Sequence, residues 1–397
     1  EFNITPATET KVAPQKAASF FQRTEVYFDR SILNSARQMA ADECKDELLL
    51  SFNRPIENYV PPDVVLYAED QYSGRRTKLE TLQLEANHRV ISGDELSGKT
   101  SFIAYNAYFC NSADSANINV VIDFRALLSG REVGELVLKK LTAYGLNRAQ
   151  ASFIVEQGFV EVWIDNFDAN QTSTTTKLFA YLFEHPKVRW TISAVAGQSF
   201  TPSNTAIGFP ATGVSYYGLS EVTLPTVLRM IENHEYGKGI ENPRSVVEQV
   251  FRSINNLRAP RTVFYVDSLV DMFLSDASVE PLNRYLLIEN LLSERVREAH
   301  KKCIPNQAVD MEMIETFIGQ IAHHLLTNKK QFLSKADYYS LAEQFIERKG
   351  LQPKRFNSEK ILEVLLGSFV FREYDGEYCF IMLSVEDYYL AKHMGHD

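Results

Sequence analysis

The chain has 397 residues, of which 45% are hydrophobic and 23% charged, which excludes an intrinsically disordered protein and allows about two to four compact units. Its formal net charge of -10 disfavours a protein that mainly neutralises nucleic-acid phosphates, and its four dispersed cysteines disfavour a zinc cluster or disulfide framework. No run is apolar enough to span a membrane and no signal peptide is visible, so we expect a cytoplasmic protein with no membrane partner.

The first 75 residues contain no catalytic or metal-binding motif. Residues 1–18 lack periodicity and predict a linker, and the opening Glu1-Phe2 is typical of a vector-derived remnant. Apolar residues then recur at helical spacing to about residue 53, so we predict an N-terminal helical segment over 19–75. We also expect an excised fragment, from which an upstream domain is missing.

Strands and helices alternate over the next part of the chain. The hydrophobic pattern predicts four strands and three intervening helices, the strands at 88–92, 119–124, 159–164 and 189–194 and the helices at 99–109, 133–144 and 175–183. Alternation at this spacing is typical of a parallel sheet covered by helices on both faces. We therefore predict one α/β domain over 76–217.

The pattern becomes helical after residue 218. Helical periodicity at 222–234, 243–255, 277–298 and 311–326 predicts a helical domain over 218–330. Two further helices, at 336–349 and 358–366, precede alternating segments around Asp375-Gly376, and such an Asp-Gly is a strong signal for a hairpin. Helices followed by a hairpin and a last helix at 385–393 predict a winged-helix domain over 331–397.

Residues 93–100 have the sequence G-D-E-L-S-G-K-T, which is the G-x-x-x-x-G-K-[ST] spacing of a P-loop. Gly93 and Gly98 let the backbone bend so that successive N–H groups point at phosphate oxygens. The helix that begins near Lys99 adds the positive end of its dipole. We expect Lys99 to contact the β- and γ-phosphates and the Thr100 hydroxyl to bind Mg²⁺.

The acidic pair Asp94-Glu95 places negative charge within a loop that binds anions. These side chains are tolerable only if they face away from the loop, whose cradle is made by backbone groups. A Gly/Ser-rich turn with an incidental Lys-Thr is the alternative interpretation. The predicted strand before the motif and the predicted helix within it favour the P-loop.

A second acidic site is expected at the end of a neighbouring strand. Asp165 directly follows a hydrophobic strand, so we expect it to hold Mg²⁺ or its water, as a Walker B aspartate does. Asp168 lies three residues further on and is predicted to orient the attacking water. The predicted catalytic residues are Lys99, Asp165 and Asp168, and the metal ligands are Thr100 and Asp165. The alternative is that Asp165-Asn166 merely starts a turn.

Together these segments resemble the STAND branch of P-loop ATPases, which includes the NACHT and apoptotic-ATPase-like switches. The segment W-I-D-N-F-D at 163–168 is similar to the family's hhhDGLDE segment, and the terminal L-S-V-E-D-Y-Y-L-A at 383–391 is similar to its closing winged-helix helix. Residues 218–220 with Leu224-Pro225 resemble the junction that enters the helical domain. The segment at 59–62, Y-V-P-P, resembles the one near the nucleotide base.

The resemblance implies an α/β P-loop NTPase with a parallel sheet, followed by a helical domain and a winged-helix domain. ADP would clamp the nucleotide domain and the winged helix together, and exchange for ATP would expose an oligomerising surface. The implied partners are nucleotide, further copies of the chain, an N-terminal effector domain and a possible sensor domain, often in bacterial defence. The residues implied to bind ATP or ADP with Mg²⁺ are Gly93, Asp94, Glu95, Leu96, Ser97, Gly98, Lys99, Thr100, Ser101, Tyr59, Val60 and Pro225.

Three departures from the family pattern predict slow hydrolysis. Ala169 replaces the usual acidic residue, no arginine ends the strand at 189–194, and Met382 stands where relatives carry a phosphate-sensing histidine. Two alternatives stay open, namely an AAA-type DNA-associated ATPase with a DNA-binding winged helix and a non-hydrolysing nucleotide-bound scaffold. Residues 353–361 are only weakly basic, so we expect no nucleic-acid partner.

Overall fold

The computed structural model divides into two compact units, Glu1–Val279 and Glu280–Asp397. The predicted boundaries at 218 and 331 divide the chain more finely and stay predictions. None of the described helices is both long and apolar enough to cross a bilayer. The residues described are 10–12, 26–28, 30–52, 55–67, 76–79, 88–113, 117–128, 130–195, 214–275, 283–304, 311–351, 356–368, 370–374, 376–381 and 383–395.

The first unit is an α/β structure. Its strands are β1 (Thr10–Val12), β2 (Val26–Phe28), β3 (Val64–Tyr67), β4 (Arg76–Leu79), β5 (His88–Gly93), β6 (Ile118–Asp123), β7 (Val160–Phe167), β8 (Arg189–Val195) and β9 (Val214–Leu219). Its helices are α1 (Arg30–Phe52), α2 (Lys99–Ser112), α3 (Arg125–Leu128), α4 (Val133–Ala143), α5 (Arg148–Gln157), α6 (Thr172–Glu184), α7 (Leu224–Asn233), α8 (Pro243–Leu257) and α9 (Val263–Ser275), with 3₁₀ turns at Ile56–Asn58 and Gly237–Gly239.

The main sheet has the strand order β4-β3-β9-β5-β8-β7-β6. The strands from β9 to β6 run parallel, whereas β3 and β4 are antiparallel to their neighbours. Strand β7 is an apolar run because both its faces are covered, and Val162, Trp163 and Ile164 have no exposed surface. The predicted α/β fold with a parallel sheet is confirmed.

The structure contradicts three of the predictions made from the sequence. The strand that carries Asp165 is not next to the P-loop strand, because β8 lies between β5 and β7 in the sheet. Residues 26–28, expected to be helical, form β2, and the helix begins only at Arg30. Residues 64–67, placed in the N-terminal helical segment, form β3 and pair with β9.

A buried ionic cluster crosses the sheet at the amino end of its central strands. Arg89 of β5 has no exposed surface and donates hydrogen bonds to the Glu161 carboxylate of β7 and to the Thr191 hydroxyl of β8. The guanidinium of Arg189 lies 3.3 Å from the other Glu161 oxygen, and Arg89 also lies 5.2 Å from the Trp163 ring centroid. Burial lowers the pKa of Arg89 to about 10. One carboxylate thus serves two guanidinium groups.

The second unit is mainly helical and carries a small antiparallel sheet of order β10-β12-β11. The predicted hairpin is present, and Gly376 adopts φ +81° in its turn, whereas Asp375 lies outside the described residues. The helix expected at 277–298 is described only from Arg284 onwards. The elements are α10 (Arg284–Cys303), α11 (Met311–Thr327), β10 (Leu333–Ser334), α12 (Lys335–Lys349), α13 (Ser358–Gly367), β11 (Phe371–Tyr374), β12 (Glu377–Phe380) and α14 (Leu383–Met394).

The core of the second unit is built around aromatic rings. Phe317 of α11 contacts Tyr338 and Phe345 of α12 and the nearby Phe356, with ring centroids 5.1 to 5.8 Å apart. These four rings are almost fully buried. Their mutual contacts hold α11 and α12 against the chain segment that leads into α13.

Candidate functional site

The loop at 93–100 joins the end of a buried parallel strand to the start of a helix. It leaves β5 at Gly93 and enters α2 at Lys99, as the sequence predicts. Leu96 and Gly98 have φ values of 60° and 87°, so both lie in the left-handed region. At Gly98 a side chain would be strained by the backbone, and its Cβ would lie 3.1 Å from that of Val263. The loop therefore depends on glycine at this position.

The acidic residues of the loop point into solvent, whereas the hydroxyl residues are buried. Asp94 and Glu95 are exposed, as the sequence analysis requires of a loop that binds anions. Ser97 and Ser101 are buried, with 7% and 5% of their surfaces exposed. Negative side chains thus lie outside the loop, and within it the N–H of Ser97 is donated to the Asp94 carbonyl at 3.2 Å.

The Lys99 ammonium lies against the loop itself. Its Nζ donates hydrogen bonds to the carbonyl oxygens of Gly93, at 2.9 Å, and Asp94, at 2.6 Å. Burial lowers the pKa of Lys99, while the nearby carboxylates of Asp165, Asp94 and Glu95 act in the opposite direction. A partly desolvated cation held at the mouth of a P-loop is well suited to bind phosphate.

The side chains of Thr100 and Asp165 form a hydrogen bond near the carboxyl ends of the parallel strands. The Thr100 hydroxyl donates to Asp165 Oδ2 at 2.6 Å, and the Ser193 hydroxyl donates to Asp165 Oδ1 at 2.5 Å. Asp165 is 3% exposed and lies near the carboxyl end of β7, which continues to Phe167, and Ser193 lies on the intervening strand β8. Ser193 therefore orients the carboxylate so that one oxygen faces Thr100.

This pair of oxygen donors fits Mg²⁺. A hydroxyl and a carboxylate within hydrogen-bond distance are hard ligands of the kind that Mg²⁺ prefers, with phosphate oxygens and water completing its shell. Among the residues that the structure describes, no group of three or more His, Cys, Asp or Glu side chains could hold a metal. A magnesium ion here would thus be shared between Thr100, Asp165 and nucleotide, where it would neutralise phosphate charge.

Replacing Asp165 with asparagine should reduce the effect of Mg²⁺ on nucleotide affinity. The amide preserves the shape of the carboxylate but removes its charge, so we expect magnesium to bind about 10- to 100-fold more weakly. The measurement is ATP affinity with Mg²⁺ and with EDTA, and the ratio of the two should fall towards unity. Asp42→Asn on the exposed face of α1 is the matched control. An unchanged ratio in Asp165→Asn would exclude the carboxylate from the magnesium site.

Asp168, which is predicted to orient the attacking water, and Asn166, which follows Asp165, each form hydrogen bonds to other groups. Asn166, with φ 55°, donates its side-chain amide to Asp123 Oδ2 at 2.9 Å, and Arg125 pairs with the same Asp123 carboxylate. Asp168 Oδ1 accepts from the backbone N–H of Asn170 at 2.9 Å, in the turn before α6. The structure does not bring Asp168 into a hydrogen bond with Asp165 or Thr100 in the described part of the chain. Its catalytic role stays a prediction.

The first turn of helix α9 contacts the P-loop. The N–H of Phe264 donates to the carbonyl of Leu96 at 3.3 Å, and Val263 packs against Gly98. Neither this helix nor its contact with the loop was expected from the sequence. Helix α9 of the first unit thus starts in direct contact with the phosphate loop.

The residues predicted near the base lie in different surroundings. Tyr59 and Val60 are buried, and the Tyr59 ring lies 5.0 Å from that of Tyr105, which is on α2. Pro225 is exposed in the first turn of α7, which contacts the 3₁₀ turn at Ile56–Asn58. The structure therefore brings Tyr59 to the helix that starts at the P-loop, and Pro225 to the outside of α7. Base contacts by all three stay predictions.

No protein-family model and no curated protein sequence matches the chain. A Walker-type ATPase of Pyrococcus abyssi aligns at 12% identity with a TM-score of 0.33, over 77% of this chain and 91% of that one. Cdc6p of Pyrobaculum aerophilum aligns at 12% with a TM-score of 0.28, over 78% and 88%. Drosophila ORC bound to DNA aligns at 14% with a TM-score of 0.30, over 94% and 96%. Scores this low transfer no function.

The fold of the first unit is therefore assigned from the geometry of the loop and of the residues around it. A glycine-dependent loop joins a central parallel strand to a helix, a lysine and a threonine follow it, and an aspartate from β7 meets the threonine. These are the parts that bind the phosphates and magnesium of a nucleotide. The first unit has the fold of a P-loop NTPase.

Proposed function

We propose that the chain is a nucleotide-dependent conformational switch of the STAND type, in which ATP and ADP control oligomerisation and an effector domain. The observation that carries the nucleotide site is the 2.6 Å contact between Thr100 and Asp165 beside the P-loop. This contact supports the proposal because it brings a hydroxyl and a carboxylate, oxygen ligands suited to magnesium, next to the lysine that would hold phosphate. A role in bacterial defence signalling rests on the resemblance alone.

Slow hydrolysis is part of the proposal. Asn166 follows Asp165 directly, and an amide cannot take a proton from the attacking water. Asp168 accepts a backbone N–H in a turn, and Ala169 offers no acid. Nucleotide binding without an efficient base favours a long-lived bound state, which is the behaviour that a switch requires.

The contact between α9 and the P-loop supports a conformational response. A nucleotide in the loop lies beside the start of α9, so γ-phosphate can favour one position of this helix over another. The nucleotide shifts the equilibrium only by its differential affinity for the two arrangements. The helix and strand order of the second unit, with its hairpin, is typical of a winged helix and agrees with the proposed domain arrangement.

Three measurements test the proposal: the nucleotide bound by the purified protein, its rate of ATP hydrolysis and the mass of the assembly it forms. We expect the purified protein to bind ATP and ADP and to hydrolyse ATP well below ~1 s⁻¹, the low end for ordinary enzymes. Light scattering should give a larger assembly with a non-hydrolysable ATP analogue than with ADP. Rapid turnover, or the same mass in both states, would contradict the switch. Binding with neither turnover nor a change in mass would identify the alternative of a nucleotide-bound scaffold.

A DNA-associated ATPase is the second candidate, and the winged-helix order of the second unit favours it. Its α13 would be the helix presented to duplex DNA. The charged residues on that helix are Glu359, Lys360 and Glu363, a mixed and slightly acidic set. Because duplex affinity depends on cationic phosphate contacts, we favour the switch. Salt-sensitive binding of labelled duplex DNA, measured by fluorescence anisotropy, would favour the second candidate.

A further inference from the structure

Thr262 is a helix-capping residue whose hydroxyl does not cap its helix. Its carbonyl accepts the N–H of Val266 at 3.0 Å, which places Thr262 at the N-cap of α9. A threonine at this position ordinarily accepts a hydrogen bond from a backbone N–H two or three residues further on. Here the N–H of Phe264 is donated to Leu96 of the P-loop instead. The Thr262 hydroxyl makes no hydrogen bond within the described residues.

This hydroxyl is buried where the phosphate loop meets α9. Thr262 is 7% exposed, and the next residue, Val263, packs on Gly98. The Ser97 hydroxyl, on the loop itself, is likewise buried without a hydrogen-bond partner in the part of the chain that the structure describes. A buried hydroxyl donor is destabilising unless a ligand satisfies it, and neither of these two has an acceptor among the described residues.

The surroundings indicate which ligand fits. The loop leads into the N-terminus of α2 at Lys99, and the first turn of α9, which contacts the loop at Leu96, adds the positive end of a second helix dipole. A phosphate oxygen is the acceptor that such surroundings favour most. A hydroxyl that donates to an anion also gains a stronger hydrogen bond than one between neutral groups.

We infer that Thr262 donates a hydrogen bond from Oγ1 to a phosphate oxygen of the nucleotide bound at the P-loop. The inference rests on the proposed nucleotide site and assigns to it a ligand from outside the loop. Helix α9 then contacts the phosphates directly, which gives the nucleotide a means of holding the helical segment. Thr262 is thus a binding residue that also links phosphate to helix position.

The test compares wild type, Thr262→Val and Thr262→Ser. Valine has nearly the shape of threonine but no hydroxyl, whereas serine keeps the donor. Affinities are measured for MgATP and for magnesium tripolyphosphate, which has phosphates but no nucleoside. We expect Thr262→Val to bind both about 10- to 100-fold more weakly, as for a lost hydrogen bond to a charged group, and Thr262→Ser to bind both nearly as wild type does.

Stability without nucleotide supplies a second readout. Because the hydroxyl has no partner among the residues that the structure describes, Thr262→Val should melt at the wild-type temperature or slightly above it when no ligand is present. A melting temperature several degrees lower would show a protein partner and overturn the inference. Unchanged affinity of Thr262→Val for both ligands would overturn it too, as would weaker binding of MgATP with unchanged binding of tripolyphosphate.

The two failures are distinguishable. If wild type binds MgATP and Thr262→Val binds it equally well, only the role of Thr262 is refuted. If wild type itself binds neither MgATP nor tripolyphosphate, the proposed nucleotide site is refuted and the inference falls with it. Thr142→Val on α4, where the hydroxyl bonds only to its own helix, controls for the substitution itself and should bind both ligands as wild type does.

Discussion

Replacing Lys99 with methionine is expected to weaken MgATP binding by at least about 100-fold, because charge-assisted hydrogen bonds to two phosphates are lost. Methionine is close to lysine in length and removes only the ammonium. The structure shows that this ammonium is already directed at the loop, where it contacts the carbonyl oxygens of Gly93 and Asp94. Isothermal titration with MgATP measures the effect.

The matched control for this variant is Lys177→Met, which removes a lysine from the exposed face of α6. It should bind MgATP as tightly as wild type does. The Lys99 variant should also stay folded without nucleotide, because it removes a partly buried charge rather than a packed side chain. Affinity retained in a folded Lys99→Met would show that this lysine does not bind phosphate.

Replacing Glu161 with alanine is expected to destabilise the protein by about 3–5 kcal/mol, the usual cost of breaking a buried ion pair. Arg89, with no exposed surface, would lose its carboxylate partner while remaining within the sheet. Arg189 would lose the same partner. Denaturant unfolding, monitored for the full chain, measures the loss.

Two further variants sharpen this test. Glu156→Ala, on the exposed face of α5, should change the unfolding free energy by less than ~0.5 kcal/mol. The double variant Arg89→Met, Glu161→Leu should recover much of the lost stability, since apolar pairs often replace buried ion pairs without cost. Equal losses for Glu161→Ala and Glu156→Ala would mean that the cluster contributes nothing to the fold.

The parts of the site that are contiguous in sequence were predictable. The P-loop has a fixed spacing, and Asp165 directly follows an apolar run that signals burial on both faces, although the strand itself continues to Phe167. Ser193 lies in the strand at 189–194, for which the sequence analysis noted only that it does not end in an arginine. Ser193 orients Asp165 because β8 lies between β5 and β7 in the sheet. The spacing of motifs along the chain does not predict this order of strands.

Helix α9 shows why other features were missed. Its sequence, V-F-Y-V-D-S-L-V-D-M-F-L-S, is apolar around most of its circumference, so it lacks the one-sided periodicity by which amphipathic helices are recognised. Strand β9, V-S-Y-Y-G-L, is short and interrupted by Gly218, which weakens its pattern. The contact of Val263 and Phe264 with the P-loop joins segments about 165 residues apart and follows only from tertiary packing.

The most direct test of the nucleotide site is a titration of the wild-type chain with ATP and with ADP, each in Mg²⁺ and in EDTA. We predict one nucleotide bound per chain, more tightly with Mg²⁺ than without it, because Thr100 and Asp165 form the proposed magnesium-binding pair. No binding of either nucleotide up to ~1 mM, the upper range of ordinary substrate affinities, would contradict the assignment of this loop as a nucleotide site.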